Sequence, residues 1–66
     1  MESTFWQLRY RKSGHGQLVE ERLHTETDFR LALQVAYRSG ATDLVSMTPD
    51  GHRFTEAALR RRYPPE

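Results

Sequence analysis

Apolar residues recur along this chain with two different periods. Between Ser3 and Lys12 they alternate with polar ones, so that Trp6, Leu8 and Tyr10 share one side and Gln7, Arg9 and Arg11 the other. That is the period of a strand with one buried face. Ser13-Gly14-His15-Gly16 interrupts the alternation with residue types suited to a chain reversal, and Gln17 to His24 reads as the returning strand. With residues 13–16 as the loop, Tyr10 falls opposite Val19, Leu8 opposite Glu21 and Trp6 opposite Leu23. On the other side Arg9 meets Glu20 and Gln7 meets Arg22. This register gathers the apolar residues and sets opposite charges across from one another. Glu21 is the exception on the apolar side, and is expected near the hairpin edge in reach of water.

The period then lengthens. From Thr25 to Gly40, TETDFRLALQVAYRSG, residues Phe29, Ala32, Leu33, Ala36 and Tyr37 form one stripe at about 100° per residue. Thr25 is the expected N-cap, with Asp28 three positions on in the arrangement of a capping box. Glu26 and Asp28 suit the positive end of the helix dipole, Arg38 the negative end, and Gly40 the left-handed closing position. Leu31 and Val35 lie outside the stripe, as a second apolar ridge beside a wet face of Arg30, Gln34 and Arg38. Either the rest of the chain covers that ridge or a partner does.

Asp43 to Thr48 reads as a short strand containing Leu44, Val45 and Met47. Thr48-Pro49-Asp50-Gly51 is the strongest turn signal present, with glycine at the left-handed residue of a bulged hairpin. His52 to Thr55 completes the hairpin with Phe54 inward. Thr55 then caps a short helix from Glu56 to about Tyr63, which Pro64 and Pro65 stop. So short a helix must rest on something, and the Leu31/Val35 ridge is one candidate for Ala57, Ala58 and Leu59. The expected fold is a single α+β domain spanning residues 1–66. It has a small antiparallel sheet in β-β-α-β-β order, one long helix on one face and a short C-terminal helix. The order of strands across the sheet is left open.

Size changes what this fold can be asked to do. A chain of 66 residues buries only about 60% of its unfolded surface, and no cysteine is present to staple it. These facts favour an oligomer or a partner. No apolar run comes near the roughly 20 residues a membrane helix needs, so a soluble, cytoplasmic protein with no membrane partner is expected. Ten basic residues against nine acidic ones give no general attraction to polyanions.

Catalytic chemistry finds little purchase. There is no cysteine, no serine stands in a G-x-S-x-G elbow, and His15, His24 and His52 lack metal-ligand spacing. Asp43, Asp50 and His52 surround one hairpin but are accounted for by turn and strand roles. Gly14-His15-Gly16 lacks the helix and lysine of a phosphate loop. The expectation is a protein with no enzymatic activity, cofactor, metal or small-molecule substrate.

Two other constellations remain. Arg9, Arg11, Lys12 and Arg22 gather on the first hairpin with Phe5 on the same outer face, and Arg60, Arg61 and Arg62 form a second cluster in the last helical turn. Such residues could hold phosphates and stack a base. The second helix ridge, Leu31 and Val35 with Arg38, suits a protein interface. The expected function is therefore a non-catalytic protein-interaction module, acting on a larger protein or by homodimerising. A small nucleic-acid-binding domain using the arginines is the alternative. The run of an early tryptophan strand, a hairpin, a capped helix and a P-D-G hairpin resembles many small bacterial and phage β-β-α-β-β domains. An inhibitor or accessory protein of a phage or other mobile element, of the anti-CRISPR kind, would suit such a size.

Overall fold

The structure is a computed structural model, and describes residues 5–12, 14 and 16–66. Ser3, Ser13 and His15, which the sequence assigns to the first strand and its loop, lie outside the described residues. The elements follow as β1 (Trp6–Arg11), β2 (Leu18–Leu23), α1 (Glu26–Arg38), β3 (Thr42–Met47), β4 (Arg53–Phe54) and α2 (Glu56–Arg62). One antiparallel sheet contains all four strands in the order β2-β1-β3-β4. Both β2 and β3 run against β1, so they are parallel to each other. The helix α1 carries the chain between them and packs on one face of the sheet.

The first hairpin has the register its alternation dictates. Trp6 pairs with Leu23, Gln7 with Arg22, Leu8 with Glu21, Arg9 with Glu20 and Tyr10 with Val19. Because β2 is an edge strand, Glu21 sits at the margin of the apolar layer rather than inside it. Burial first, and the nearby Glu21 carboxylate second, push the pKa of the Tyr10 hydroxyl up.

Both ends of α1 are closed by local chemistry. The Thr25 hydroxyl accepts from the Asp28 amide at 3.1 Å, satisfying a donor the first turn leaves free. At the other end Gly40 takes φ 76°. The Gly40 amide donates to Tyr37 O at 3.1 Å and the Ala41 amide to Ala36 O at 3.0 Å, the paired bonds of a Schellman closure. The stripe predicted for α1 is the one that faces inward: Phe29, Leu33 and Ala36 are fully buried, with Ala32 and Tyr37 packed beside them. Trp6 stacks on Phe29 at 4.8 Å between ring centroids, and Tyr63 meets Phe29 edge-on at 5.4 Å.

A bulge divides β1 from β3. Arg9 pairs with Val45 but Arg11 with Thr42, so β3 holds one residue more than β1 over that interval, and Asp43 adopts φ 56°. The extra residue changes the phase of the strand, so that Ala41 and Leu44, three apart, both reach the core. It also leaves the Leu44 amide outside the ladder. That amide donates to Glu56 Oε1 at 3.3 Å, which ties the first turn of α2 to the bulge.

The second hairpin turns as its sequence requires. Gly51 takes φ 88°, its amide donates to Thr48 O at 3.0 Å, and the Thr48 amide donates to His52 O at 2.8 Å. The Thr48 hydroxyl donates to the Asp50 carboxylate, holding the pKa of that carboxyl below its usual value. The helix α2 starts at Thr55, whose hydroxyl accepts from the Ala58 amide at 3.3 Å, and Leu59 is its fully buried residue. Leu59 joins Leu8, Leu33 and Leu44 in the core. So α2 lies over β3 and β4, on the α1 side of the sheet, and does not rest on the Leu31/Val35 ridge. Among the described residues, one buried side-chain polar group has no partner: the hydroxyl of Ser46, a residue 3% exposed.

Candidate functional site: the outer side of α1

Helical geometry places Leu31, Val35 and Arg38 within an arc of roughly 60°, about half a turn from the Phe29/Leu33/Ala36 stripe. With the sheet claiming that stripe and α2 seated over β3 and β4, neither the sheet nor α2 covers the opposite side. Leu31 is 62% exposed and Val35 60%, and Arg38 is exposed as well. The cover that α2 and Phe54 could have supplied goes elsewhere. Phe54 turns toward Tyr63, with ring centroids 6.2 Å apart.

The C-terminal tail, rather than α2, borders the ridge. Gln34, expected on the wet face, is instead half-buried and holds the tail with both ends of its amide. Its Nε2 donates to Pro64 O at 3.0 Å, and its Oε1 accepts from the Glu66 amide at 3.0 Å. The Tyr37 hydroxyl adds a bond to Tyr63 O at 2.9 Å, and burial raises the pKa of that hydroxyl. Between tail and helix runs a groove of about 490 Å³, lined among others by Thr27, Arg30, Leu31, Tyr63 and Pro65. Two guanidiniums frame it: Arg30 stands 5.5 Å and Arg62 5.1 Å from the centroid of the Tyr63 ring. Arg30 is also paired with Glu26 at 2.8 Å. Aliphatic knobs beside a groove with an arginine and aromatic border have the composition found at protein interfaces, where lysine and glutamate are depleted.

The arginines singled out from sequence fall on two sides of the molecule. Arg9, Arg11 and Arg22 project from the face of the sheet that no helix covers, because the alternation that turns Trp6, Leu8 and Tyr10 toward α1 turns them away from it. Lys12 follows at the end of β1, exposed. Phe5 lies at the corner of the same hairpin and meets His24 edge-on at 4.9 Å. Arg60, Arg61 and Arg62 belong to α2, on the covered side. Arg60 pairs with Glu56 at 3.2 Å and lies 5.0 Å from the Tyr37 ring centroid. The fold therefore splits the two clusters. Sequence reasoning did not assign Arg53, which joins the open sheet face. Its position beside inward Phe54 was the signal that could have placed it there.

The acidic and histidine residues around the second hairpin are likewise spread out. Asp43 lies at one end of β3, 3.3 Å from Arg11 Nε, and Asp50 and His52 lie at the other, roughly 15 Å away on strand spacing. His52 meets the Phe54 ring edge-on at 4.8 Å. Among the described residues no three His, Cys, Asp or Glu side chains are grouped so as to hold a metal ion, and no helix is long and apolar enough to cross a membrane. No protein-family model matches this chain, and neither does any curated protein or solved structure.

Proposed function

We propose that this protein is a non-catalytic interaction module of the cytoplasm that docks through the Leu31–Val35–Arg38 side of α1, on a larger protein or on a second copy of itself. The observation that carries this reading is the exposure of two large aliphatic side chains one turn apart on a helix whose other side already supplies the core. The groove beside Leu31 supports it, because it offers a recess next to the ridge into which a partner side chain fits. A small inhibitor or accessory protein of a phage or mobile element, anti-CRISPR proteins among them, is one form such a module takes at this chain length. The nucleic-acid alternative has less support. Its arginines are divided between two sides of the molecule, and among the described residues the sheet face has its aromatic at the corner, Phe5, rather than along its centre.

Leu31→Arg tests the proposal. Circular dichroism of the variant is expected to match the native protein, because the residue contributes nothing to the core. Light scattering is expected to show a native dimer become a monomer. If the native protein is already monomeric, a nuclease-treated pull-down is expected to return one protein in stoichiometric amount with the native chain and not with the variant. A variant that fails to fold would overturn the reading, since Leu31 would then belong to the core.

A further inference from the structure

The uncovered face of the sheet carries a second surface, different in chemistry from the α1 ridge. Strand pairing builds one straight row across it. Gln7 pairs with Arg22 on one side and with Met47 on the other, and Met47 pairs with Arg53. Arg22 and Arg53 thus stand at opposite edges of the sheet, three strand spacings or about 14 Å apart. Gln7 and Met47 lie between them. The neighbouring row brings Arg9 and Val45 alongside, and Val45 is 37% exposed.

Charge on this face is lopsided. Among the described residues, the four guanidiniums of Arg9, Arg11, Arg22 and Arg53 meet two carboxylates, those of Glu20 and Asp43. Arg9 pairs with Glu20 at 3.9 Å and Arg11 with Asp43 at 3.3 Å, both well exposed, so these two pairs are largely internal. Arg22 and Arg53 are exposed and have no carboxylate within ion-pair distance among the described residues. Among the described residues the face therefore presents two cations without a carboxylate partner, separated by a neutral, partly apolar strip.

We infer that this face binds an acidic protein segment, one with carboxylates spaced to reach Arg22 and Arg53 and an apolar side chain between them to lie on Val45 and Met47. An extended segment laid across the strands meets that spacing with acidic residues four apart, since each residue advances about 3.3 Å. Arginine and methionine beside an aliphatic centre are the residue types enriched where proteins meet proteins. A single-stranded nucleic acid would call for aromatic platforms along the face, and its centre offers methionine, valine and glutamine instead. A second copy of the same face is disfavoured, because it would oppose cation to cation. With the α1 ridge on the other side of the molecule, the two surfaces leave room for two partners at once.

The test uses fluorescence anisotropy with a labelled glutamate–leucine copolymer and, separately, labelled single-stranded DNA and RNA of matched charge. The full native chain is compared with the double variant Arg22→Glu/Arg53→Glu and with Arg61→Glu, a charge reversal at an exposed position of α2 on the other side of the sheet, all checked for fold by circular dichroism. The native chain is expected to bind the copolymer more tightly than either oligonucleotide, with affinity falling as salt rises. The double variant is expected to bind it roughly tenfold more weakly, two reversed surface pairs together reaching that size, while Arg61→Glu stays close to the native chain. Copolymer binding that is absent, or unchanged in the double variant, overturns the inference. Tighter binding of an oligonucleotide overturns it in favour of nucleic acid.

Discussion

On its inner side α1 gives Phe29, Leu33 and Ala36 to the sheet, and on its outer side it holds Leu31 and Val35 in water. The residue types are much alike on the two sides, so hydrophobicity alone did not decide which became core. The layer did. A sheet with both helices on one face has a single apolar interior, and α1 can turn only one stripe toward it. Fully burying an aliphatic side chain contributes about 1.5–3 kcal/mol, and the chain gains only a minor part of this from the outer pair. A valine in a helix also gives up some propensity. For a fold of this size, whose whole stability is of the order of a few kcal/mol, two such residues do little for the fold itself, and the docking role proposed above is what would give them a use.

Substitutions on each side should separate these roles sharply. Phe29→Ala removes the ring that stacks with Trp6 and meets Tyr63, and is expected to cost about 3–5 kcal/mol. That is enough to leave much of the population unfolded, read by near-ultraviolet circular dichroism and urea titration. Glu56→Ala acts on the same inner side through a polar link, stranding the Leu44 amide at the bulge. A loss of about 1–2 kcal/mol is expected, with faster hydrogen exchange at Leu44 and along α2, whereas Glu56→Gln keeps an acceptor and should lose less. Ser46→Ala should move the other way and stabilise by up to about 1 kcal/mol, because it removes a buried hydroxyl that has no partner; a lower urea midpoint would refute this. Smallest in stability is Leu31→Arg, expected within about 0.5 kcal/mol of the native chain, although its effect on association is the largest of the set. Were Leu31→Arg to cost as much as Phe29→Ala, the contrast between the two sides would collapse.

Much of the inner side was legible from residues alone, for a physical reason. Alternation and the parity of the first loop leave one register that keeps Trp6, Leu8 and Tyr10 with Val19 and Leu23, and the chain adopts it. Thr25, Gly40 and Gly51 act within a few residues of themselves, so their roles also survive in the sequence. The bulge at Asp43 was missed, since aspartate suits a strand entry as readily as a left-handed kink. The spacing of Ala41 and Leu44, three where a strand calls for two, was the available sign. Gln34 was misread as solvent-facing because its partners are backbone atoms of Pro64 and Glu66, more than a score of positions away, and backbone atoms leave no mark in a sequence. The exposure of Leu31 and Val35 could be posed as a question but not answered, because it depends on where α2 settles. That in turn depends on Leu59 and on the Glu56 link to a bulge that was not foreseen.

The inward position of Glu21 on the edge strand has a consequence for life at high concentration. An edge strand offers a row of free backbone donors and acceptors to any extended chain that drifts alongside. A newcomer pairing on β2 would extend the apolar layer over Glu21 and take its carboxylate from water, at a cost of several kcal/mol for an ion left without a cation. The residue that spoils an otherwise apolar strand is thus expected to oppose the addition of a further strand along β2.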